Sequence, residues 1–273
     1  GSWGNAKQLH TAADTIFNYT FGSNQSVSYI GDTAMIVWAQ DGIAYSSIHD
    51  ENGWAGNPQV IGGASDAMTA NGVNLTPKKD GSGFVATFEA YTGTDNLIYA
   101  AEYSLATNTW SETTLLAVNA VRAYEGAPVI TDPETGAVYA VWQQEVGDGY
   151  SLYTSTLTDG TWSDSELITS GYFESFTVEA DPASDRPMIA WASGGSGTVD
   201  VARYAEGAWS ALRLDAAGNR KSHISSTVMA DGDILLTYQG EPTPDMEQIF
   251  TQRLDFETGE WGNKTATDNQ FRV

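Results

Sequence analysis

Residues 162–170 read WSDSELITS, a short and mostly polar phrase that opens on tryptophan. Similar phrases open on five other tryptophans, so that the phrase recurs at intervals of 47 to 56 residues. The six residues are Trp3, Trp54, Trp110, Trp162, Trp209 and Trp261. A period near 50 residues indicates a repeat architecture in which each repeat is one supersecondary unit.

A second series of aromatic residues lies between these tryptophans, and each member ends a short apolar run. The series consists of Trp38, Phe88, Trp142, Trp191 and Tyr238. Runs such as AVYAVW at 137–142 are rich in β-branched and aromatic residues, which predicts buried strands. A strand and a tight turn precede each run. An alternating strand such as SLYTSTL at 151–157 and a second turn then lead to the tryptophan strand.

Each repeat is therefore predicted to be an antiparallel meander of four strands, which we name A to D in chain order. Radial repetition of four-stranded sheets is typical of a β-propeller, so we expect an all-β protein with five blades in one domain. The predicted blades are about 25–62, 72–118, 127–169, 176–215 and 225–268. The strand-B and strand-D aromatic residues are expected to fill the space between blades rather than to stack on a ligand.

The count of tryptophan strands exceeds the count of complete repeats by one. Residues 1–24 are left as a spare outer strand and the loop that leads into the propeller. Residues 3–10 would then be an exposed edge available for strand pairing. The alternative is that the chain is a fragment of a larger propeller of six to eight blades.

Composition excludes several classes of function. The chain has 35 acidic and 12 basic residues in 273, a net charge of −23 that would repel nucleic acid and anionic lipid. Cysteine is absent, which excludes disulfides and thiolate metal sites. No apolar run is long enough to cross a membrane. We expect no cofactor; the abundant carboxylates could bind calcium, but no known calcium-loop motif is present.

The phrase that ends strand C and opens strand D resembles a known motif. Thr156, Asp159, Gly160, Thr161 and Trp162 resemble a degenerate Asp-box, the BNR repeat of sialidase-like propellers, with the spacing altered by one residue. The resemblance implies bacterial extracellular or surface propeller repeats and a structural role for the motif. It does not imply sialidase activity, because no arginine precedes Arg122 to complete an arginine triad at the start of the chain.

The B–C and D–A loops should emerge on one face of the propeller, and they differ most between repeats. Carboxylates and amides there could pair with sugar hydroxyls, while aromatic rings could stack on pyranose faces; the same groups would serve a peptide. The predicted ligand-binding residues are Gln40, Glu89, Tyr91, Tyr124, Glu125, Gln143, Glu145, Tyr172, Phe173, Gln239 and Glu241. The structural alternative is that these residues are only solvated loop positions.

We expect the chain to bind a neutral glycan or a peptide without catalysis, as a module of a larger exported or cell-surface protein. A structural or protein-interaction spacer is the alternative from another class. A glycoside-active enzyme is the third possibility, because Glu89, Glu145 and Glu241 start from similar positions in different blades and could approach as a carboxylate pair. No catalytic residue is assigned.

Overall fold

The computed structural model describes residues 25–63, 69–120, 126–147, 149–181, 187–193, 197–205, 208–214, 219–229, 231–243, 246–255, 258–263, 265–266 and 271–272. Every regular element in these residues is a β-strand, and the strands form five antiparallel sheets. The described residues contain no helix that is long and apolar enough to cross a lipid bilayer. The chain is therefore all-β, with the four-stranded blades of a β-propeller that the sequence predicts. The spare strand predicted at residues 3–10 lies outside the described residues.

Two compact units divide the chain at Ala127 and Pro128. The first unit contains two blades. Blade 1 consists of β1 (Gln25–Ile30), β2 (Thr33–Gln40), β3 (Ile43–Asp50), β4 (Gly53–Trp54) and β5 (Gln59–Gly63). Blade 2 consists of β6 (Thr69–Pro77), β7 (Gly83–Tyr91), β8 (Asn96–Ser104), β9 (Thr109–Trp110) and β10 (Thr114–Ala117). In both blades the outer strand D is split into two short segments that pair with the same strand C.

The second unit contains three blades of the same order. Blade 3 consists of β11 (Val129–Thr131), β12 (Val138–Val146), β13 (Gly149–Thr158), β14 (Thr161–Trp162) and β15 (Glu166–Ser170). Blade 4 consists of β16 (Phe173–Ala180), β17 (Pro187–Ser193), β18 (Val199–Ala205) and β19 (Ala208–Leu214). Blade 5 consists of β20 (Asn219–Val228), β21 (Ile234–Thr243), β22 (Met246–Asp255), β23 (Glu260–Trp261), β24 (Thr265–Ala266) and β25 (Phe271–Arg272).

Aspartates set the tight turns of the blades. In four turns an aspartate side chain accepts a hydrogen bond from the backbone N–H two residues later, which closes the turn locally. The pairs are Asp50 with Asn52, Asp80 with Ser82, Asp132 with Glu134 and Asp231 with Asp233, at 2.6 to 3.2 Å. The bonds from Ser82 lower the pKa of Asp80, since they favour its charged form. In blade 3, Asp159 and Gly160 both have positive φ, as a two-residue hairpin loop requires.

The strand-B aromatic residues mark the core of each blade. Phe88, Trp142, Trp191 and Tyr238 are at most 4% exposed, whereas Trp38 of blade 1 is half-buried. In four blades the strand-B ring lies beside an aromatic ring of strand C. The ring pairs are Trp38 with Tyr45, Phe88 with Tyr99, Trp142 with Tyr153 and Tyr238 with Phe250, with centroids 5.5 to 6.4 Å apart. Blade 4 is the exception, because Asp200 occupies the position opposite Trp191.

Blades 1 and 2 pack closely on each other in the first unit. Met35 and Val37 of blade 1 share a buried cluster with Phe88 of blade 2. A Cβ on Gly62 would lie 2.7 Å from the Phe88 ring, so the ring packs directly against the backbone of β5. The indole Nε1 of Trp110 donates a 2.8 Å hydrogen bond to Ser46 Oγ. Apolar packing and a satisfied polar group thus close the junction between these blades.

Blades 4 and 5 pack in the same manner in the second unit. Met188 and Ala190 of blade 4 share a buried cluster with Leu236 and Tyr238 of blade 5. Successive residues of a strand point to opposite faces of the sheet. The side chains of Ile189, Trp191 and Asp200 therefore lie on the other face of blade 4, toward blade 3. Strands β11 and β16 pack together at that second junction.

Candidate functional site

The loop ends of blades 3 and 4 bring several of the predicted ligand-binding residues together. In blade 3, β12 and β13 remain paired almost to their ends, where Glu145 lies opposite Tyr150 and Val146 opposite Gly149. Glu145 is exposed at this end. The pairing places a carboxylate and a phenol side by side on a regular, hydrogen-bonded strand pair rather than on an irregular loop.

Tyr172 is held next to Tyr150 by the backbone. The N–H of Gly171 donates a 2.9 Å hydrogen bond to the carbonyl of Tyr150, and Gly171 has a φ of 153° that favours glycine. The hydroxyls of Ser151 and Ser170 are 3.0 Å apart and fix the same strand pair. As a result, the rings of Tyr150 and Tyr172 pack with centroids 5.3 Å apart and an interplanar angle of 57°. Tyr172 is 48% exposed, so part of its ring is accessible to a ligand.

Blade 4 begins with a buried aromatic contact beneath this surface. Phe173, the first residue of β16, lies edge-on to Trp191 with ring centroids 5.9 Å apart. Phe173 is 5% exposed and Trp191 is 4% exposed. These rings support the loop end from within, and the neighbouring Tyr172 is the residue of this segment that presents an aromatic ring to solvent.

A charged network replaces the usual strand-C ring in blade 4. Asp200 is buried, and its Oδ2 accepts hydrogen bonds from the hydroxyls of Ser193, at 3.1 Å, and Thr198, at 3.0 Å. Its Oδ1 accepts a 2.9 Å hydrogen bond from Nε of Arg213, whose side chain is 67% exposed. Both carboxylate oxygens thus have donors within the blade, which stabilises the charge and links the end of β17 to the start of β18.

At the junction between blades 3 and 4, Gln143 and Glu145 lie on one face of β12. Trp142 and Gln144 lie on the opposite face. Trp142 Nε1 donates a 3.3 Å hydrogen bond to Gln144 Oε1 on that other face. Gln143 lies opposite Leu152 and is 4% exposed. By the alternation of the strand, Gln143 and Glu145 form one column that runs from the rim of the loop end toward the interior.

The other predicted residues are distributed over the rest of the chain. Glu89 is only 2% exposed, and Gln40 is half-buried at the end of β2. Tyr91 is 41% exposed, and its hydroxyl donates a 2.6 Å hydrogen bond to the Gly93 carbonyl of its own loop.

The remaining four predicted residues belong to other loops. Gln239 is half-buried in blade 5, and Glu241 is placed opposite Asn219 in the strand register. Tyr124 and Glu125 lie outside the described residues.

Sequence reasoning did not single out Tyr150, Asp200 and Arg213. A signal for Asp200 was present, because the strand-C phrase VDVARY at 199–204 has an aspartate where the other repeats have an aromatic residue. Tyr150 belongs to the alternating strand of blade 3, and only its contact with Tyr172 distinguishes it. Among the described residues no three or more His, Asp or Glu side chains are placed to hold a metal ion. The expectation that the chain needs no cofactor stays a prediction.

Comparison with known proteins supports the fold of the chain and does not identify its activity. No protein-family model matches the chain, and no curated protein matches it in sequence. The chain is similar to a solved protein of unknown function from Dyadobacter fermentans, with 14% identity, a TM-score of 0.56, and coverage of 94% of this chain and 84% of the other. It is similar to the Hadza microbial sialidase Hz136, with 12% identity, a TM-score of 0.52, and coverage of 92% and 57%. It is also similar to an ulvan lyase bound to a saccharide, with 11% identity, a TM-score of 0.58, and coverage of 93% and 74%.

These similarities define the class of the protein. It is an all-β protein with the four-stranded blades of a β-propeller, and the loop end of blades 3 and 4 combines an exposed aromatic ring with a carboxylate. The chain spans just over half the length of the sialidase that it matches. At identities below 25% the comparison supports the fold and leaves the activity to be argued from the site.

Proposed function

We propose that the chain is a non-catalytic module that binds a neutral glycan at the loop end of blade 3. The binding surface consists of Glu145, Tyr150 and Tyr172, which we name the blade 3 rim. The observation that carries the proposal is the partly exposed ring of Tyr172, packed against Tyr150 beside the exposed carboxylate of Glu145.

The chemistry of the blade 3 rim suits a sugar. The C–H face of a pyranose packs on an aromatic ring, and a ring already fixed by a neighbour loses little conformational entropy on binding. The carboxylate of Glu145 can accept hydrogen bonds from two sugar hydroxyls, and such charge-assisted bonds are stronger than neutral ones. With a net charge of −23, the chain favours a neutral or basic ligand over an acidic one.

The solved structures that resemble this chain support a saccharide in a general way. Their descriptions include a sialidase and a lyase bound to a saccharide. We further propose that the module belongs to a larger exported or cell-surface protein, as the resemblance to bacterial surface repeats implies. This second proposal concerns the location of the protein and does not affect the binding test.

A screen of the chain against an array of neutral oligosaccharides, with and without millimolar calcium, tests the proposal. We expect a specific hit, and we expect Tyr172→Ala to weaken binding of that oligosaccharide about tenfold, the loss of one aromatic contact. Glu145→Gln should weaken it by a similar factor. Because Glu145 is exposed, Glu145→Gln should not change the melting temperature measurably. Tyr172→Ala also removes the ring contact with Tyr150, so its melting temperature should fall slightly.

Tyr91→Ala is the matched control, because Tyr91 is a similarly exposed tyrosine at a loop end of blade 2. Its affinity for the same oligosaccharide should equal that of the unmodified chain. An array without any hit, in either calcium condition, would exclude the glycan and leave a peptide ligand or a spacer role. Equal losses in Tyr91→Ala and Tyr172→Ala would place the binding surface elsewhere.

A further inference from the structure

The outer strand of blade 4 differs from the outer strands of the other described blades. In blade 3, Trp162 lies opposite Leu157 and Glu166 lies opposite Thr154, so four steps along strand D match three along strand C. Blades 1, 2 and 5 also have extra residues between their strand-D segments. In blade 4, β19 pairs with β18 over all seven of its residues without a shift in register. Within the described ranges, blade 4 thus has a regular outer strand where the other blades have an interrupted one.

This regular strand is also the edge of its sheet in the part of the chain that the structure describes. Natural proteins protect sheet edges with bulges, prolines or lysines, because an edge offers its backbone groups to another strand. The sequence of β19, AWSALRL, contains neither proline nor lysine. Its one charged residue, Arg213, is paired with Asp200 of β18. The edge of β19 therefore lacks the features that usually prevent strand pairing.

The direction of the backbone groups of β19 follows from the other blades. There, the N–H of the residue after the strand-D tryptophan donates a 2.8 Å hydrogen bond to a strand-C carbonyl. Ser210 has this position in blade 4, opposite Arg203. Because successive residues of an antiparallel strand direct their N–H and C=O groups to opposite sides, those of Trp209, Ala211 and Arg213 point away from β18, toward the outer edge.

We infer that β19 pairs with β19 of a second copy of this chain, in an antiparallel register centred on Ala211. Ala211 is the middle residue of β19, so this register pairs all seven residues of both strands. Each outward-directed residue meets another outward-directed residue, which allows about six backbone hydrogen bonds between the copies. The contact is isologous, the arrangement found in most homodimers. The inference does not depend on the proposed glycan binding.

The side chains of β19 are self-complementary in this register. Trp209, Ala211 and Arg213 share one face of the strand, and the exposed Ala211 residues meet at the two-fold axis. Each half-buried Trp209 then lies opposite Arg213 of the second copy, whose side chain is 67% exposed. A guanidinium group is attracted to an indole ring. No two like charges lie directly opposite each other, whereas a register centred on Arg213 would oppose two arginines.

The test is analytical ultracentrifugation of the chain from micromolar to millimolar concentration. The net charge of −23 opposes association, so the salt concentration should be high enough to screen it. We expect a reversible dimer. Ala211→Lys should weaken dimerisation about tenfold or more, because each introduced lysine would meet its own copy and both Arg213 side chains.

Ser210→Lys is the matched control, because it adds the same charge at an exposed position of the same strand. Its side chain lies on the other face, where it would be opposite Leu212 of the second copy. We expect Ser210→Lys to dimerise as the unmodified chain does. Both variants should keep the melting temperature of the unmodified chain, since both positions are exposed.

Hydrogen exchange identifies the edge that is used. The backbone amides of Trp209, Ala211 and Arg213 should exchange more slowly as the chain dimerises. A chain that stays monomeric at millimolar concentration would overturn the inference, and so would a dimer in which exchange at these amides is unchanged. Equal weakening by Ala211→Lys and Ser210→Lys would also overturn it, since the added charge rather than the register would then explain the loss.

Discussion

The junction of blades 1 and 2 and the junction of blades 3 and 4 are built from equivalent strands but differ in polar pairing. In the first, Trp110 is hydrogen-bonded to Ser46 and Phe88 packs on the backbone at Gly62. In the second, Trp209 Nε1 and Thr154 Oγ1 have no hydrogen-bond partner in the part of the chain that the structure describes. The unpartnered junction is also the one whose loop end bears the exposed Tyr172. Equivalent positions in a repeat protein can thus be hydrogen-bonded in one copy and unpaired in another.

The junction of blades 4 and 5 contains a buried ion pair. Arg203 of blade 4 forms a buried ion pair with Asp181 at 2.9 Å. Its Nη2 also donates a 2.8 Å hydrogen bond to the carbonyl of Gly232 in blade 5. Burial lowers the pKa of Arg203, and the neighbouring carboxylate of Asp181 opposes that change.

The largest expected effect is at this paired junction. Arg203→Leu should lower the free energy of unfolding by about 3–5 kcal/mol, because Asp181 would remain as a buried charge without its partner. Urea denaturation of the purified chain measures this change. Arg253→Leu is the matched control, since Arg253 also pairs with aspartates of an A–B turn but is exposed. A loss in Arg253→Leu as large as in Arg203→Leu would contradict the role assigned to burial.

The second prediction tests the difference between the two equivalent junctions directly. Ser46→Ala should destabilise the chain by about 1–3 kcal/mol, because the indole N–H of Trp110 would be left buried without an acceptor. Thr154→Val should be neutral or slightly stabilising, because the hydroxyl that it removes has no hydrogen-bond partner among the described residues. Both are measured by urea denaturation. Equal destabilisation in the two variants would show that Thr154 is as well paired as Ser46.

The smallest expected effect is a pH dependence at Glu179 of β16, the inner strand of blade 4. Burial raises the pKa of Glu179 to about 7, and the hydroxyl of Ser226 partly opposes this rise. The folded chain therefore binds more protons than the unfolded chain at mildly acidic pH. The corresponding stabilisation is complete below the unfolded pKa of 4.5 and is lost as the pH rises through about 7.

Glu179→Gln should accordingly reduce the dependence of the folding stability on pH. We expect the variant to be more stable than the unmodified chain by about 1–2 kcal/mol at pH 8, after allowance for solvent screening of a partly exposed group. At pH 4 the two should be nearly equal in stability. Thermal unfolding across this pH range checks the prediction, and a difference independent of pH would assign the effect to packing.

Much of the fold could be predicted from sequence because its signals are local. The recurring tryptophan phrase, the apolar strand-B runs and the Asp-Gly pair at 159–160 each act within a few residues. Tyr172 and Glu145 were predicted as ligand-binding residues because they lie at variable loop ends. The contact of Tyr172 with Tyr150 could not be predicted, since it depends on a backbone hydrogen bond between two strands.

The sequence by itself determined the order of strands and turns, the apolar faces of the blades and the acidic surface. These follow from residue periodicity, turn chemistry and composition, which are properties of the local chain. Only the tertiary structure decided that Asp200 is satisfied within blade 4, and that Gln143 Nε2 and Thr154 Oγ1 find no partner within the described ranges. Whether a buried polar atom finds a partner depends on the packing of separate sheets, and the covalent spacing of residues does not specify that packing.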